Sequence, residues 1–259
     1  MNLPLDQIAE TLRSARLNRA PVEAPSSKWP ELDVPTAIAV QRLEVDNQVA
    51  AGDRVVGYKL GNIAAAMQSR FGLDQPDYGH LLAGTFAYEG GTLARDDFIE
   101  PFVELEPAFI LGRPLEGPNV TVADVIAAVD HVVPAIEIID SRVANWDITL
   151  PDTLADNGST GAVIVGGLPR AVRDLPLQDM RGTVHRNGDE VAAGSTRAIL
   201  GNPLSAVAHV CNTLAEYGIG FQAGDLILAG SCLEAVPMRE HGRWSGHFDG
   251  WGTIEFDVS

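Results

Sequence analysis

The chain has 259 residues, 46% of them hydrophobic, and a formal net charge of −17 from 35 acidic and 18 basic side chains. That composition suits one large core, or a main domain with a smaller appendage, and excludes a long disordered region. The acidity excludes a nucleic acid or an anionic membrane surface as partner, and an anionic small molecule would need a local cation to bind.

Cys211 and Cys232 have no CxxC or Cys/His spacing and make no disulfide framework, which suits a reducing, cytoplasmic setting. Near the start, Leu3, Leu5, Ile8 and Leu12 recur at helical spacing between Asp6, Glu10 and Arg13, so no secretory signal is expected. The most apolar stretch, around 125–139, contains Asp130, His131, Pro134 and Glu137 and cannot be a membrane span.

In chain order, residues 4–18 predict an amphipathic helix and 20–35 a Pro/Ser-rich connector. A second helix starts at Asp33, with Pro35 in its first turn, and runs to about Ala51. Residues 1–52 therefore form a helical N-terminal region, ahead of a mixed-sheet domain over 53–259. "RVVGYKLG" (54–61) reads as a strand, and "NIAAAMQSRFG" (62–72) as a short helix with Asn62 as cap and Gly72 as terminator. "DQPDYGHLLAG" (74–84) reads as a polar loop.

"FVELEPAFILG" (102–112) is a strand, "TVADVIAAVDHV" (121–132) a helix capped by Thr121, and "PAIEII" (134–139) and "GAVIVGG" (161–167) buried strands. "DNGSTG" (156–161) is a polar loop before the last of these. "GTVHRNGDEVAAG" (182–194) is a hairpin turning at Asn187-Gly188. Asn202, Pro203 and Gly218 bracket a helix, and "GDLILAGSCLEAV" and "WGTIEFDVS" supply more strand. Early helices and late strands predict an α+β chain with a mixed sheet, not a regular βαβ array.

Sequence motifs narrow the chemistry. GxGxxG, Walker-type, HExxH and GxSxG patterns are all missing. Within 102–112, Glu104 and Glu106 share a strand face with Phe102, Ala108 and Ile110, and the opposite face is wholly apolar. Two like charges in such company repel and resist desolvation, so a cation is the simplest partner. Glu137 lies among Ile136, Ile138 and Ile139 and completes an all-oxygen trio suited to Mg²⁺ or Mn²⁺. Pairing with arginines on an edge strand would explain the same carboxylates, and spacing leaves both readings open.

Lysine is scarce: Lys28 and Lys59 stand against 16 arginines. Lys59, bracketed by Gly57 and Gly61, can release a proton when desolvated, unlike a guanidinium, though a plain buried Lys–Glu pair would also account for it. Asp77 and Ser159 mark the two polar loops, either of which could be an ordinary turn. Asp140 and Arg142 read as a local ion pair, and His80, His131, His209 and His241 show no ligand spacing.

Taken in order, "GYKLG" (57–61), "MQSRFGLDQPDYGHL" (67–81), "ELEPAFILGRPL" (104–115), "PAIEIIDSR" (134–142), "DTLADNGSTGAVIVGG" (152–167) and "AGDLILAGS" (223–231) resemble the 2-keto-4-pentenoate hydratase family. This family, which includes the 4-oxalocrotonate decarboxylases, sits within the fumarylacetoacetate hydrolase superfamily. The resemblance implies a distorted β-sandwich or rolled mixed sheet behind a small helical region, and a homo-oligomer. It implies divalent-cation ligands at Glu104, Glu106 and Glu137, proton-transfer residues at Lys59 and Asp77, and a substrate-contacting serine at Ser159. The implied reaction is hydration of a 2-hydroxy-2,4-dienoate (2-oxo-4-enoate) to a 4-hydroxy-2-oxoacid in meta-cleavage catabolism. Association with a downstream aldolase or other pathway enzyme is a further implied partnership. A 2-oxoacid decarboxylase is the alternative, followed by a C–C bond hydrolase and a non-catalytic cation-binding module. One departure stands out: Asn62-Ile63 follows Gly61, where the family has an apolar residue and a threonine.

Overall fold

A computed structural model of the chain describes residues 3–63 and 75–259. The helix expected over 62–72 lies almost wholly outside these residues. Helix α1 (Leu5–Asn18) buries Ile8, Ala9, Leu12 and Ala15, the one-sided spacing read in the sequence. The connector contains a single extra turn, α2 (Pro25–Lys28). Helix α3 (Val34–Ala50) is capped by Asp33, whose side chain accepts from the Thr36 N–H at 2.9 Å. Ile8, Leu12, Ala37, Ile38 and Val40 enter the same apolar cluster as Val103, Leu105 and Phe109, so the N-terminal helices and the sheet share one core.

The following strands are β1 (Val55–Gly61), β2 (Asp77–Leu82), β3 (Phe86–Tyr88), β4 (Thr92–Leu93) and β5 (Phe102–Leu111). Residues 77–82 are thus a buried strand, not the loop that their Asp, Gly and His content suggested. Pairing to β1, from Val55↔Leu82 to Gly61↔Asp77, holds them extended despite weak strand propensity. Helix α4 (Val122–Ala128) has the expected Thr121 cap, but ends early, because Val129 is extended and begins β6 (Val129–Ile139). The β-branched residues Val129, Val132 and Val133 pair with β5 there, and that pairing overrides continuation of the helix.

Beyond β6 come α5 (Leu150–Ala155), β7 (Thr160–Val165), β8 (Arg181–Arg186), β9 (Asp189–Ser195) and α6 (Pro203–Ala215). The chain then forms β10 (Leu226–Leu228), β11 (Val236–Pro237), β12 (Gly242–Phe248) and β13 (Gly252–Val258). The β8–β9 hairpin and the Asn202 cap of α6 match expectation. Helix α5 and strand β12 leave little trace in the sequence: the first is too short for a periodic signal, and the second is interrupted by Gly246 and polar residues.

Among the described residues, the main sheet runs β2-β1-β10-β5-β6-β7-β3, with β11 also pairing β5. Its terminal strands, β2 and β3, are joined through Ala83–Thr85 alone, so the sheet must curl to bring its two edges together. The second sheet runs β4-β13-β12-β8-β9. It lies against the back of β5 and β6, where a Cβ on Gly246 would stand 2.6 Å from Leu105 and 2.8 Å from Ile136 side-chain atoms. Val103, Leu105, Phe109 and Leu111 face that main core. Ala108 faces a second cluster inside the curl, with Leu81, Ala135, Val163 and Leu228, and Glu104 and Glu106 continue that inner face.

Candidate active site

The site forms where β10 stops. Leu228, its last residue, pairs with Ala108, and β11 takes up that side of β5 again only at Val103, so Glu106 and Glu104 lie in the gap between the two strands. On the other side, β6 places Glu137 directly opposite Glu104. Cross-strand neighbours on one face sit close, and like charges there repel. Ligand oxygens of Glu104, Glu106 and Glu137 all lie within 4.8 Å of one another, and all three residues are buried. Glu106 Oε2 accepts from the Gly230 N–H at 2.7 Å, and Glu137 Oε1 from the Thr160 hydroxyl at 3.2 Å. Glu106 Oε1 and Glu137 Oε2 have no hydrogen-bond partner among the described residues.

Burial first, and then the neighbouring Glu137 charge, push the Glu104 carboxyl up to about 8. The same two causes, with Glu104 added, hold Glu106 well above the ordinary range, and burial raises Glu137 as well. Unpartnered buried oxygens on repelling acids are what a cation would relieve. The set is hard, anionic and all-oxygen, so its chemistry fits Mg²⁺ or Mn²⁺. The arginine pairing considered for Glu104 and Glu106 does not occur among the described residues; the charged partner at hand is Lys59.

Lys59 projects from β1 into this space, 2% exposed. Its Nζ lies 3.4 Å from Asp77 Oδ1 and 3.9 Å from Glu137 Oε1. Burial lowers its pKa, but the charges of Asp77, Glu137, Glu104 and Glu106 outweigh burial and raise it. Asp77, the first residue of β2, uses its other oxygen to accept from the Thr153 hydroxyl at 2.8 Å. A Cβ on Gly61 would fall 2.3 Å from Asp77 Oδ1 and 2.7 Å from Lys59 Nζ, so a glycine there makes room for the pair.

Lys59, Asp77, Glu104 and Ser159 line one cleft, whose other wall includes Ile139, Trp146 and Ile148. The Ser159 hydroxyl points to Asp156 Oδ2 at 3.2 Å. Asn62, left-handed at φ 55, also lines the cleft and donates to the Gln75 carbonyl at 2.8 Å. The expected Asp140–Arg142 side-chain pair is replaced by another arrangement. Arg142 pairs with Asp156 and donates to the Asp140 and Thr160 carbonyls, while Asp140 accepts the backbone N–H groups of Ile99 and Glu100. Thr160 belongs to the polar 156–161 loop read as a ligand-holding candidate, whereas Thr153 and Gly230 carry no individual signal in the sequence. All three stand in stretches quoted above, but nothing in their spacing says which carboxylate each would meet.

Residues 83–259 match the model of the fumarylacetoacetate (FAA) hydrolase C-terminal family. The chain belongs to this family. It is 37% identical over 253 residues to the 2-oxo-hept-4-ene-1,7-dioate hydratase of Escherichia coli, covering 95% of each chain. Identity to the 2-keto-4-pentenoate hydratase of Burkholderia vietnamiensis is 35% over 247 residues, covering 95% of this chain and 94% of that one. The solved 4-oxalocrotonate decarboxylase from Pseudomonas putida G7, complexed with magnesium and adipate, superposes with a TM-score of 0.94 at 32% identity. That superposition covers 100% of this chain and 99% of the decarboxylase. Lys59 and Asp77 precede the segment matched by the family model, and both alignments to the hydratases extend beyond that segment.

Proposed function

We propose that this protein is a hydro-lyase of meta-cleavage catabolism that converts a 2-hydroxy-2,4-dienoate into a 4-hydroxy-2-oxoacid. The observation that carries the reading is the pairing of a buried three-carboxylate cluster with a buried Lys59–Asp77 couple, in a chain related along its length to named hydratases. Glu104, Glu106 and Glu137 would hold Mg²⁺ or Mn²⁺. When bound, such a cation supplies Lewis-acid polarisation and a counter-charge for an anionic substrate. Lys59 and Asp77 serve as the proton-transfer pair. The dienol gives up its 2-hydroxyl proton and gains one at C5, leaving a 2-oxo-3-enoate. Water then adds, with hydroxide at C4 and hydrogen at C3. Ser159 lies on the cleft wall as a substrate contact, and Trp146, Ile139 and Ile148 shield the reacting carbons from bulk water.

The second reading is a 2-oxoacid decarboxylase, favoured by the P. putida G7 superposition. An enzymatically generated 2-hydroxydienoate, followed by ultraviolet absorbance with and without Mg²⁺ and by product identification, separates the two. Mg²⁺-dependent loss of the dienol with a 4-hydroxy-2-oxoacid product supports the hydratase. Release of CO₂ from a 4-oxalocrotonate-type acid, with no hydration, selects the decarboxylase. Binding of Mg²⁺ with no turnover of any such acid would leave a cation-binding module. The proposal extends to a cytoplasmic setting and to a homo-oligomer, the latter because β9, a largely exposed outer strand of the second sheet, offers an edge that a second subunit could cover. Sedimentation that finds only monomers at micromolar concentration contradicts the oligomer.

A further inference from the structure

We infer that Thr153 is a positioning residue for the reaction, holding Asp77 in the orientation that faces Lys59. This inference rests on the proton-transfer role proposed for that pair. A threonine within a helix commonly returns its hydroxyl to a carbonyl of the preceding turn. Thr153, 1% exposed on α5, instead donates to Asp77 Oδ2 at 2.8 Å. The Lys59 contacts are looser, 3.4 Å to Asp77 and 3.9 Å to Glu137, against about 2.7–2.9 Å for a well-formed charge-assisted bond. The Thr153 hydroxyl is therefore the firmer restraint on the carboxylate, and the ammonium is left able to shift between Asp77 and the cluster.

The residues flanking Thr153 fasten α5 in place. Asp152 accepts from the Ser26 N–H and hydroxyl, each at 2.7 Å, and from the Thr149 hydroxyl at 2.6 Å. The Leu154 carbonyl accepts from Gln41 Nε2 at 2.7 Å, and the same amide nitrogen donates to the Tyr78 carbonyl, next to Asp77, at 3.0 Å. Ser26 and Gln41 belong to the helical N-terminal region. That region thereby sets the height of α5 over β2, and with it the reach of Thr153 to Asp77. A glycine at 158, whose Cβ would come within 2.6 Å of Lys59 Cε, leaves the lysine stem its space beside them.

The test is a cycle of Thr153→Val and Asp77→Asn with the Mg²⁺-loaded enzyme, reading kcat, KM, Tm and Mg²⁺ affinity. Valine keeps the shape and removes the donor. Losing one hydrogen bond to a charged group should lower kcat about tenfold to a hundredfold with KM and Mg²⁺ affinity little changed. Thr153→Ser, which keeps the donor, should restore most of the rate. In the Asp77→Asn background the valine change should cost much less, because Thr153 acts through Asp77. If the valine variant does not fold, Thr153→Ala supplies the same comparison. A near-normal kcat without the hydroxyl, or an equal loss in both backgrounds, overturns the inference. Wild-type protein inert toward every 2-hydroxydienoate and 2-oxoacid overturns the lyase reading first and this inference with it.

Discussion

Lys59 shows how far charge and chemistry can be separated at one position. It is buried beside Asp77 and the three-carboxylate cluster, and despite burial their charges, Asp77 foremost, raise its pKa. A residue serving only to balance those charges could be replaced by arginine, which stays charged at every working pH. A residue that gives up and regains a proton could not. Lys59→Arg is therefore expected to leave a folded protein that binds Mg²⁺, with kcat reduced by about 10²–10⁴, the usual worth of one acid–base group. The measurement is kcat beside Tm and Mg²⁺ affinity. A near-normal rate in the arginine variant would remove lysine from the mechanism and leave Asp77 to act alone.

Strand β1 and helix α5 carry their side chains to the site at very different degrees of legibility. The carboxylates on β5 and β6 could be found in the sequence because a charged residue on an apolar, alternating strand has no solvated face to occupy. Lys59 could be found because lysine is rare in this chain. Asp77 is visible as a polar residue but reads as part of a loop, since a strand that depends on pairing with β1 leaves little propensity signal of its own. Thr153 escaped because α5 has 6 residues, too few for a helical period, and because its partner is 76 positions away. Side chains that meet only through tertiary packing have no local pattern. Gly61 lies between these cases, being visible as a glycine but explained only by its neighbours. Gly61→Ala would push a methyl group against the side-chain ends of Asp77 and Lys59, not against backbone, while leaving the ladder of β1 intact. Turnover should fall at least about tenfold, the scale of one lost charge-assisted contact, with Tm changed little. Thermal melts beside kcat check this, and a variant with normal turnover would show that the pair tolerates displacement.

A protein of net charge −17 that also buries three acids at one point has an electrostatic problem that only part of its pH range relieves. Glu104 is pushed up to about 8 from an ordinary 4.5, and Glu106 and Glu137 move in the same direction. A raised carboxyl pKa means that the folded state holds protons the unfolded chain has already lost. The stability from these groups is complete below about pH 4.5 and drains away as pH rises toward 8. Metal-free protein should accordingly lose Tm across that window. A divalent cation prefers the deprotonated trio and binds the native state alone, so its stabilisation should grow over the same range. At a hundredfold excess over Kd the gain is about 2.7 kcal/mol. The quantity to measure is the Tm difference with and without Mg²⁺ at pH 5 and at pH 8, because subtraction removes every titration that does not involve the cation. It should be larger at pH 8, and Glu106→Gln, which removes one of the three charges, should shrink it while raising the Tm of the metal-free protein at that pH. A Mg²⁺ increment equal at the two pH values, or unmoved by Glu106→Gln, would mean that the cation binds elsewhere on this acidic surface and that the buried carboxylates are held together by protons and Lys59 alone.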